Sequence, residues 1–203
     1  MLDFASLSPY DYADALPREQ FMHYGIKPLH NNMQRIAGSA FTVKCEPGDH
    51  LMLHAAIYRA SPGDIIVAQA DDSFALAGGN VCAIAQKRGI AGFVIDGVIR
   101  DMAEVREMGF AVFAKGVMPK PGKKACIAPL NQTIRCGGVI VNPNDIIVAD
   151  EDGIAVIPFA DKETVFDIAS KRASADASQT LAQWQTAHQK NVESKLSALG
   201  YKD

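Results

Sequence analysis

The sequence is short of the features that would make a function obvious. Twenty Lys and Arg against 23 Asp and Glu leave a formal net charge of −3 over 203 residues. There is no basic surplus to neutralise phosphates, so nucleic-acid binding is not expected. Cys45, Cys82, Cys126 and Cys136 are scattered, without a Cys-x-x-Cys pair, which argues for free thiols in a reducing cytoplasm and against a zinc site. The longest apolar runs (Ile65–Ala68, Ile146–Ala149, Ile154–Ile157) are strand-length, well short of the roughly 20 residues that cross a bilayer as a helix. The opening Met1-Leu2-Asp3-Phe4 lacks the basic-then-apolar order of a signal peptide. A soluble cytoplasmic protein is expected, binding neither membrane nor nucleic acid.

What is present is an ordinary globular composition, 48 % hydrophobic and 21 % charged, with enough chain to bury a core without disulfides or a structural metal. A single domain is expected: an N-terminal helical segment over 1–34, an α/β core over 35–158 and a C-terminal helical segment over 161–200. Ala40–Cys45 reads as extended. In Pro47-Gly48-Asp49 the aspartate is placed to cap a helix from His50 to Ala60. Ile65–Ala68 is apolar on both faces, as a strand covered on both sides should be. A helix fits Leu76–Arg88, closed by Gly89. Then come a strand ending in a turn at Asp96-Gly97, a helix over Met102–Met108 and a strand at Ala111–Ala114. This β-α-β-α-β order favours parallel pairing. Beyond Gly116, frequent Pro and Gly predict short hairpin strands. Asp161–Leu199 reads as one or two helices whose Phe166, Ile168, Leu181, Trp184 and Leu196 could face the body or another subunit. Pro62-Gly63-Asp64-Ile65-Ile66-Val67-Ala68 is echoed by Pro143-Asn144-Asp145-Ile146-Ile147-Val148-Ala149, one turn-into-buried-strand device used twice.

Three groups of residues could carry chemistry. In Ile95-Asp96-Gly97-Val98-Ile99-Arg100-Asp101 a strand end presents an Arg-Asp pair. Strand ends in parallel sheets collect ligands; there a carboxylate can hold a hard cation and an arginine can grip a carboxylate. Asp101-Met102-Ala103-Glu104 is equally a capping box, and the dipeptide alone favours that reading. Gly78-Gly79-Asn80-Val81 opens a helix whose free N–H groups suit an anion, although paired glycines also mark close packing. His50 and His54 share a helical face, but no third ligand is suggested, and hydrogen-bonding or core roles are favoured. Lys115 to Lys124 holds the one basic cluster, read first as a solvated loop. Lys115 as a Schiff-base amine has little support, and no nucleophile elbow is present.

Taken in order, several segments resemble the signatures of the superfamily of the regulator of ribonuclease activity A. They are Arg35-Ile36-Ala37-Gly38, Phe41-Thr42-Val43, Pro47-Gly48-Asp49, Pro62-Gly63-Asp64, Gly92–Asp101, Gly109–Ala114, Gly137-Gly138-Val139 and Ala149-Asp150-Glu151-Asp152-Gly153. That superfamily includes the 4-hydroxy-4-methyl-2-oxoglutarate/4-carboxy-4-hydroxy-2-oxoadipate aldolases. The resemblance implies a swivelling β/β/α sandwich with a mostly parallel β-α-β core and C-terminal helices, assembled as a homotrimer or homohexamer. It implies Mg²⁺ or Mn²⁺ held directly by Asp101, pyruvate gripped by Arg100, and the substrate carboxylate bound by the backbone N–H groups of Gly78, Gly79, Asn80 and Val81.

The implied reaction is metal-dependent retro-aldol cleavage of a small 2-oxo acid, releasing pyruvate, with oxaloacetate decarboxylation as a side activity. The alternative is a non-catalytic regulator of ribonuclease activity that binds a protein partner. One departure stands out: the aldolases carry an acid, twenty residues and then Arg-Asp, whereas Gly79 occupies the acid's position here. A further acid from a neighbouring subunit's C-terminal helix would correspond to Asp176.

Overall fold

The computed structural model describes residues 2–31 and 33–202; Met1, Asn32 and Asp203 of the expected domain lie outside them. Nine strands form among these residues: β1 (Lys27–Pro28), β2 (Ile36–Lys44), β3 (Ile65–Gln69), β4 (Gly92–Ile99), β5 (Val112–Val117), β6 (Ile134–Cys136), β7 (Val139–Val141), β8 (Ile146–Asp150) and β9 (Gly153–Ile157). The helices are α1 (Leu51–Ile57), α2 (Gly79–Lys87), α3 (Met102–Met108), α4 (Lys162–Ala177) and α5 (Leu181–Ala198).

Seven strands make one sheet in the order β1-β5-β4-β3-β2-β8-β9, and β6-β7 make a second. The centre β2-β3-β4-β5 is parallel, as the alternation of strands with α2 and α3 requires. Alternation along the strands explains the layers. Ile66 and Ala68 of β3 point into one core with Leu53, Ala56, Cys82 and Val105 of α1, α2 and α3. Ile65 and Val67 point the other way, into a core shared with Cys136, Val139 and Val141 of the β6-β7 hairpin. Helices, large sheet and small sheet therefore stack as an α/β/β sandwich. A third cluster packs Tyr12 and Leu16 against β8, β9 and the Val165 and Ala169 face of α4.

The sequence echo is a structural one. Asp64 accepts a bond from the Ser61 amide at 2.8 Å, and Asp145 accepts one from the Asn142 amide at 2.8 Å. Each turn feeds a buried strand, and β3 and β8 flank β2 from opposite sides, β3 in parallel along its second half and β8 antiparallel along its first.

Several expected boundaries move, each for a visible reason. The Leu76–Arg88 helix begins at Gly79, because the Leu76 amide donates to the Val98 carbonyl (2.9 Å) and the Arg100 amide to that of Ala77 (3.0 Å), holding 75–77 extended beside β4. No turn forms at Asp96-Gly97. β4 runs on to Ile99 with a register shift, since Asp96 is tied sideways to the Gly137 amide (2.8 Å) and to Lys115. α1 spans Leu51–Ile57 and gives way to turns before Pro62. Phe166 does face the body, edge-on to Phe4. In contrast, α5 buries no residue, leaving Leu181 79 % exposed and Trp184 48 % exposed. All four cysteines are free, and no helix among the described residues is long and apolar enough to cross a membrane.

Candidate active site

The carboxyl ends of β2, β3 and β4 point to the same place. Chain leaving β2 makes the Pro47-Gly48-Asp49 turn and enters α1 with His50 and His54. Chain leaving β3 returns through 75–77 into α2, and chain leaving β4 reaches Arg100 and Asp101. These segments surround a cavity of about 110 Å³ lined by His50, His54, Gly78, Asn80, Val81, Arg100, Asp101 and Lys124, with Leu76, Ala77 and Pro121 as apolar wall. It lies where ligands collect in parallel sheets.

Asp101 decides the geometry. Its backbone is left-handed (φ 61°, ψ 40°) and its side chain makes no capping bond to α3. The capping-box reading of Asp101-x-x-Glu104 is therefore wrong. The carboxylate turns back across the site instead, with Oδ2 accepting from the Gly79 amide at 3.1 Å and lying 3.5 Å from Arg100 Nε. A non-glycine residue in this conformation is uncommon and concentrates at functional positions.

The paired glycines have separate steric reasons. A Cβ on Gly78 would collide with Asp101 Oδ2 and press to 3.1 Å from Arg100 Nε. A Cβ on Gly79 would collide with the Glu104 carboxylate. The position that lacks an acid is thus overlaid by an acid from the first turn of α3. Glu104 carries no signal of this in the sequence beyond its place in the apparent capping box.

His50 and His54, expected in hydrogen-bonding or core roles, are partly buried, and Lys124, expected in a solvated loop, is exposed in one; all three also line the cavity. The two imidazoles stack at 4.5 Å with 13° between their planes. Burial lowers the His54 pKa to about 4, helped by the charges of His50 and Lys124, and burial likewise lowers His50. Their spacing after a turn was the available clue; what it could not give was the direction they face. Lys115 lies elsewhere, its ammonium paired with Asp96 at 2.6 Å and its pKa raised by that bond, the reverse of what an amine nucleophile needs. Asp176 sits in the last turn of α4, bonded to Arg172 at 3.0 Å, and is not among the residues lining the cavity.

A mixed sheet under three helices, with a guanidinium, a carboxylate and a helix start around one cavity at its strand ends, defines an α/β protein with its candidate site at those ends. The chain belongs to the RraA-like family (Aldolase/RraA), whose pattern it matches over residues 10–156. A protein of Halalkalibacterium halodurans named "Putative 4-hydroxy-4-methyl-2-oxoglutarate aldolase" is 42 % identical over 166 residues, covering 81 % of this chain and 79 % of that one. Streptomyces coelicolor RraAS2, described as an unusual member of the RNase ES inhibitor RraA protein family, superposes with a TM-score of 0.76 at 25 % identity, covering 86 % and 91 % of the two chains. The RNA-processing inhibitor RraA of Thermus thermophilis superposes with a TM-score of 0.66 at 25 % identity, covering 78 % and 94 %.

Proposed function

We propose that this protein is a divalent-metal-dependent lyase that cleaves a small 2-oxo acid by retro-aldol reaction and releases pyruvate. 4-Hydroxy-4-methyl-2-oxoglutarate or 4-carboxy-4-hydroxy-2-oxoadipate is the type of substrate, and oxaloacetate decarboxylation is a side reaction. The observation that carries this reading is the left-handed Asp101, whose carboxylate is brought beside Arg100 and the opening amides of α2. The names of relatives such as the Halalkalibacterium protein support the same chemistry.

The residues present fit Mg²⁺ or Mn²⁺. Among the described residues no three His, Cys, Asp or Glu side chains converge, and a small hard cation that keeps most of its waters needs only one or two carboxylates. Asp101 is the direct ligand in this reading, and Gly78 keeps its approach clear. Glu104, lying over Gly79, would be the second carboxylate near the cation. When bound, the cation supplies Lewis-acid polarisation of the C2 keto oxygen.

The chain's own groups do the rest. The amides of Gly78, Asn80 and Val81 hold the substrate's C1 carboxylate at the start of α2, while the Gly79 amide, expected to join them, is already given to Asp101 Oδ2. Arg100 orients the 2-oxo acid head and offsets negative charge as the C3–C4 electron pair moves toward C2. The C4 hydroxyl proton has uncharged imidazole acceptors, His50 and His54, in the same cavity. Leu76, Ala77 and Pro121 form the apolar wall beside C3, which takes up the proton returned by the imidazole that accepted it from the C4 hydroxyl and so gives pyruvate. Assembly as a trimer or hexamer, with Asp176 of a neighbouring subunit completing the site, belongs to the same proposal.

The test is pyruvate release from 4-hydroxy-4-methyl-2-oxoglutarate and from oxaloacetate, with Mg²⁺ or Mn²⁺ added and then chelated. Metal-dependent release from either supports the lyase. No release from both, together with binding to a ribonuclease, would favour the regulator that the Streptomyces and Thermus relatives represent.

A further inference from the structure

β4 carries an extra residue just before it reaches the site. Between Ile95 and Val98 it advances three residues, while its partner β5 advances two, from Ala114 to Gly116. Asp96 and Gly97 therefore share one partner, Lys115, in a β-bulge. Both oxygens of the Asp96 carboxylate are taken there. Oδ1 accepts from Lys115 Nζ at 2.6 Å, and Oδ2 accepts from the Gly137 amide at 2.8 Å. One tie runs to the neighbouring strand and the other to the β6-β7 hairpin of the small sheet. Gly97 leaves no room for a side chain, since a Cβ on it would collide with the Asp71 carbonyl oxygen.

Beyond the bulge the strand end is gripped again. The Met118 amide donates to the Ile99 carbonyl at 2.8 Å, beside the bonds that Val98 and Arg100 make to 76–77. An inserted residue bends a strand, and one residue of slip exchanges its two faces. Arg100 and Asp101 follow directly on Ile99, so the bulge sets where both side chains emerge. We propose that Asp96 is a positioning residue, which holds the bulge that aims Arg100 and Asp101 into the cavity. Asp96 is not among the residues lining that cavity, so it acts through the pair it aims. Its role in turnover rests on the reading above, in which Arg100 and Asp101 work on a 2-oxo acid.

The Gly79 amide, bonded to Asp101 Oδ2, reports where that carboxylate sits without metal or substrate. Isotope labelling of glycine in the full chain follows its hydrogen exchange by nuclear magnetic resonance, and a coupled assay with Mg²⁺ follows pyruvate release. Asp96→Ala speeds Gly79 exchange about tenfold, as loss of one hydrogen bond to a charged acceptor does. It also lowers kcat about a hundredfold, as a misplaced catalytic group does. Asp96→Asn, which still accepts from Gly137, restores most of both. Arg35→Met, which breaks an ion pair of similar length (2.8 Å to Asp150) away from the cavity, leaves both unchanged. If Asp96→Ala leaves Gly79 exchange at the wild-type rate, or Arg35→Met speeds it equally, Asp96 fastens the hairpin and does not position the site. If Asp96→Ala frees Gly79 but the wild type releases no pyruvate, the positioning stands and the lyase reading fails. Should Asp96→Ala not fold, Lys115→Met, which removes one of the two ties, speeds the same exchange about threefold; an unchanged rate there overturns the role.

Discussion

Asp101 and Gly79 sit at the starts of two different helices, yet the carboxylate of the first accepts the amide of the second at 3.1 Å. A side chain in position to cap α3 has been given to α2 instead. Its left-handed backbone is what aims it there.

Asp101→Asn separates these roles. Asn tolerates the left-handed region as well as Asp does, and no α3 cap is lost, so the melting temperature stays within about 2 °C of wild type. Metal-dependent pyruvate release falls by about a hundredfold or more. Thermal denaturation and a coupled pyruvate assay check the two halves; near-normal turnover would remove Asp101 from the metal.

Gly78→Ala is a steric test. Gly78 is extended (φ −156°), a conformation open to any residue, so folding is unaffected, but the new methyl displaces Asp101 Oδ2 and crowds Arg100. Activity drops about a hundredfold, the usual effect of a misplaced catalytic group, while circular dichroism and melting stay unchanged. Full activity in the Gly78→Ala variant would mean that the carboxylate does not work from this position.

For Glu104, metal affinity is the direct readout. Glu104→Gln, which keeps the shape over Gly79, weakens Mn²⁺ binding about tenfold by electron paramagnetic resonance titration. Unchanged affinity would leave the acid missing at position 79 without a substitute.

The imidazole pair gives a pH dependence with a definite sign. His54 titrates near 4 in the folded chain, and His50 is lowered by the same burial; unfolded, both titrate near 6.5. Between these values the unfolded chain binds more protons. The contribution to stability is therefore fully present above pH about 6.5 and is lost as pH falls toward about 4. Urea denaturation across that window shows the slope, and His54→Gln makes it shallower. An identical slope in the variant would show that the ring titrates normally.

Thiol reactivity checks the core. Burial pushes the Cys45 and Cys82 pKa values up to about 12 and raises that of Cys136 further, whereas Cys126 is partly exposed. At pH about 8 a disulfide reagent modifies one thiol per folded chain and all four after denaturation, since the thiolate is the reactive form. Fast reaction of a second cysteine would contradict the packing of the sheet.

Much of this fold is legible in the sequence, because hydrophobic period and turn chemistry act locally. Ile65–Ala68 reads as a doubly covered strand and is one, and Met102–Met108 has the expected ends. What was not legible depends on contacts between distant segments. The start of α2 is set by Val98 and Arg100 across the strand end. The continuation of β4 through Asp96 depends on Gly137 and Lys115. Arg35 and Asp150, two separate signature positions, turn out to be partners at 2.8 Å. At the site, Arg100, Asp101 and the glycines were visible as a pattern, but nothing local reveals that Glu104 lies over Gly79 or that Lys124 lines the same cavity as Arg100.

The double use of β2 has a consequence for biosynthesis. Its first half waits for Ala149 and its neighbours before it has an antiparallel partner, so a nascent chain emerging from the ribosome carries an unfinished sheet border until β8 is made. Pairings so distant along the chain are slow to close and prone to intermolecular mispairing. Yield of this protein should therefore respond to translation rate and chaperone supply more than its equilibrium stability would suggest.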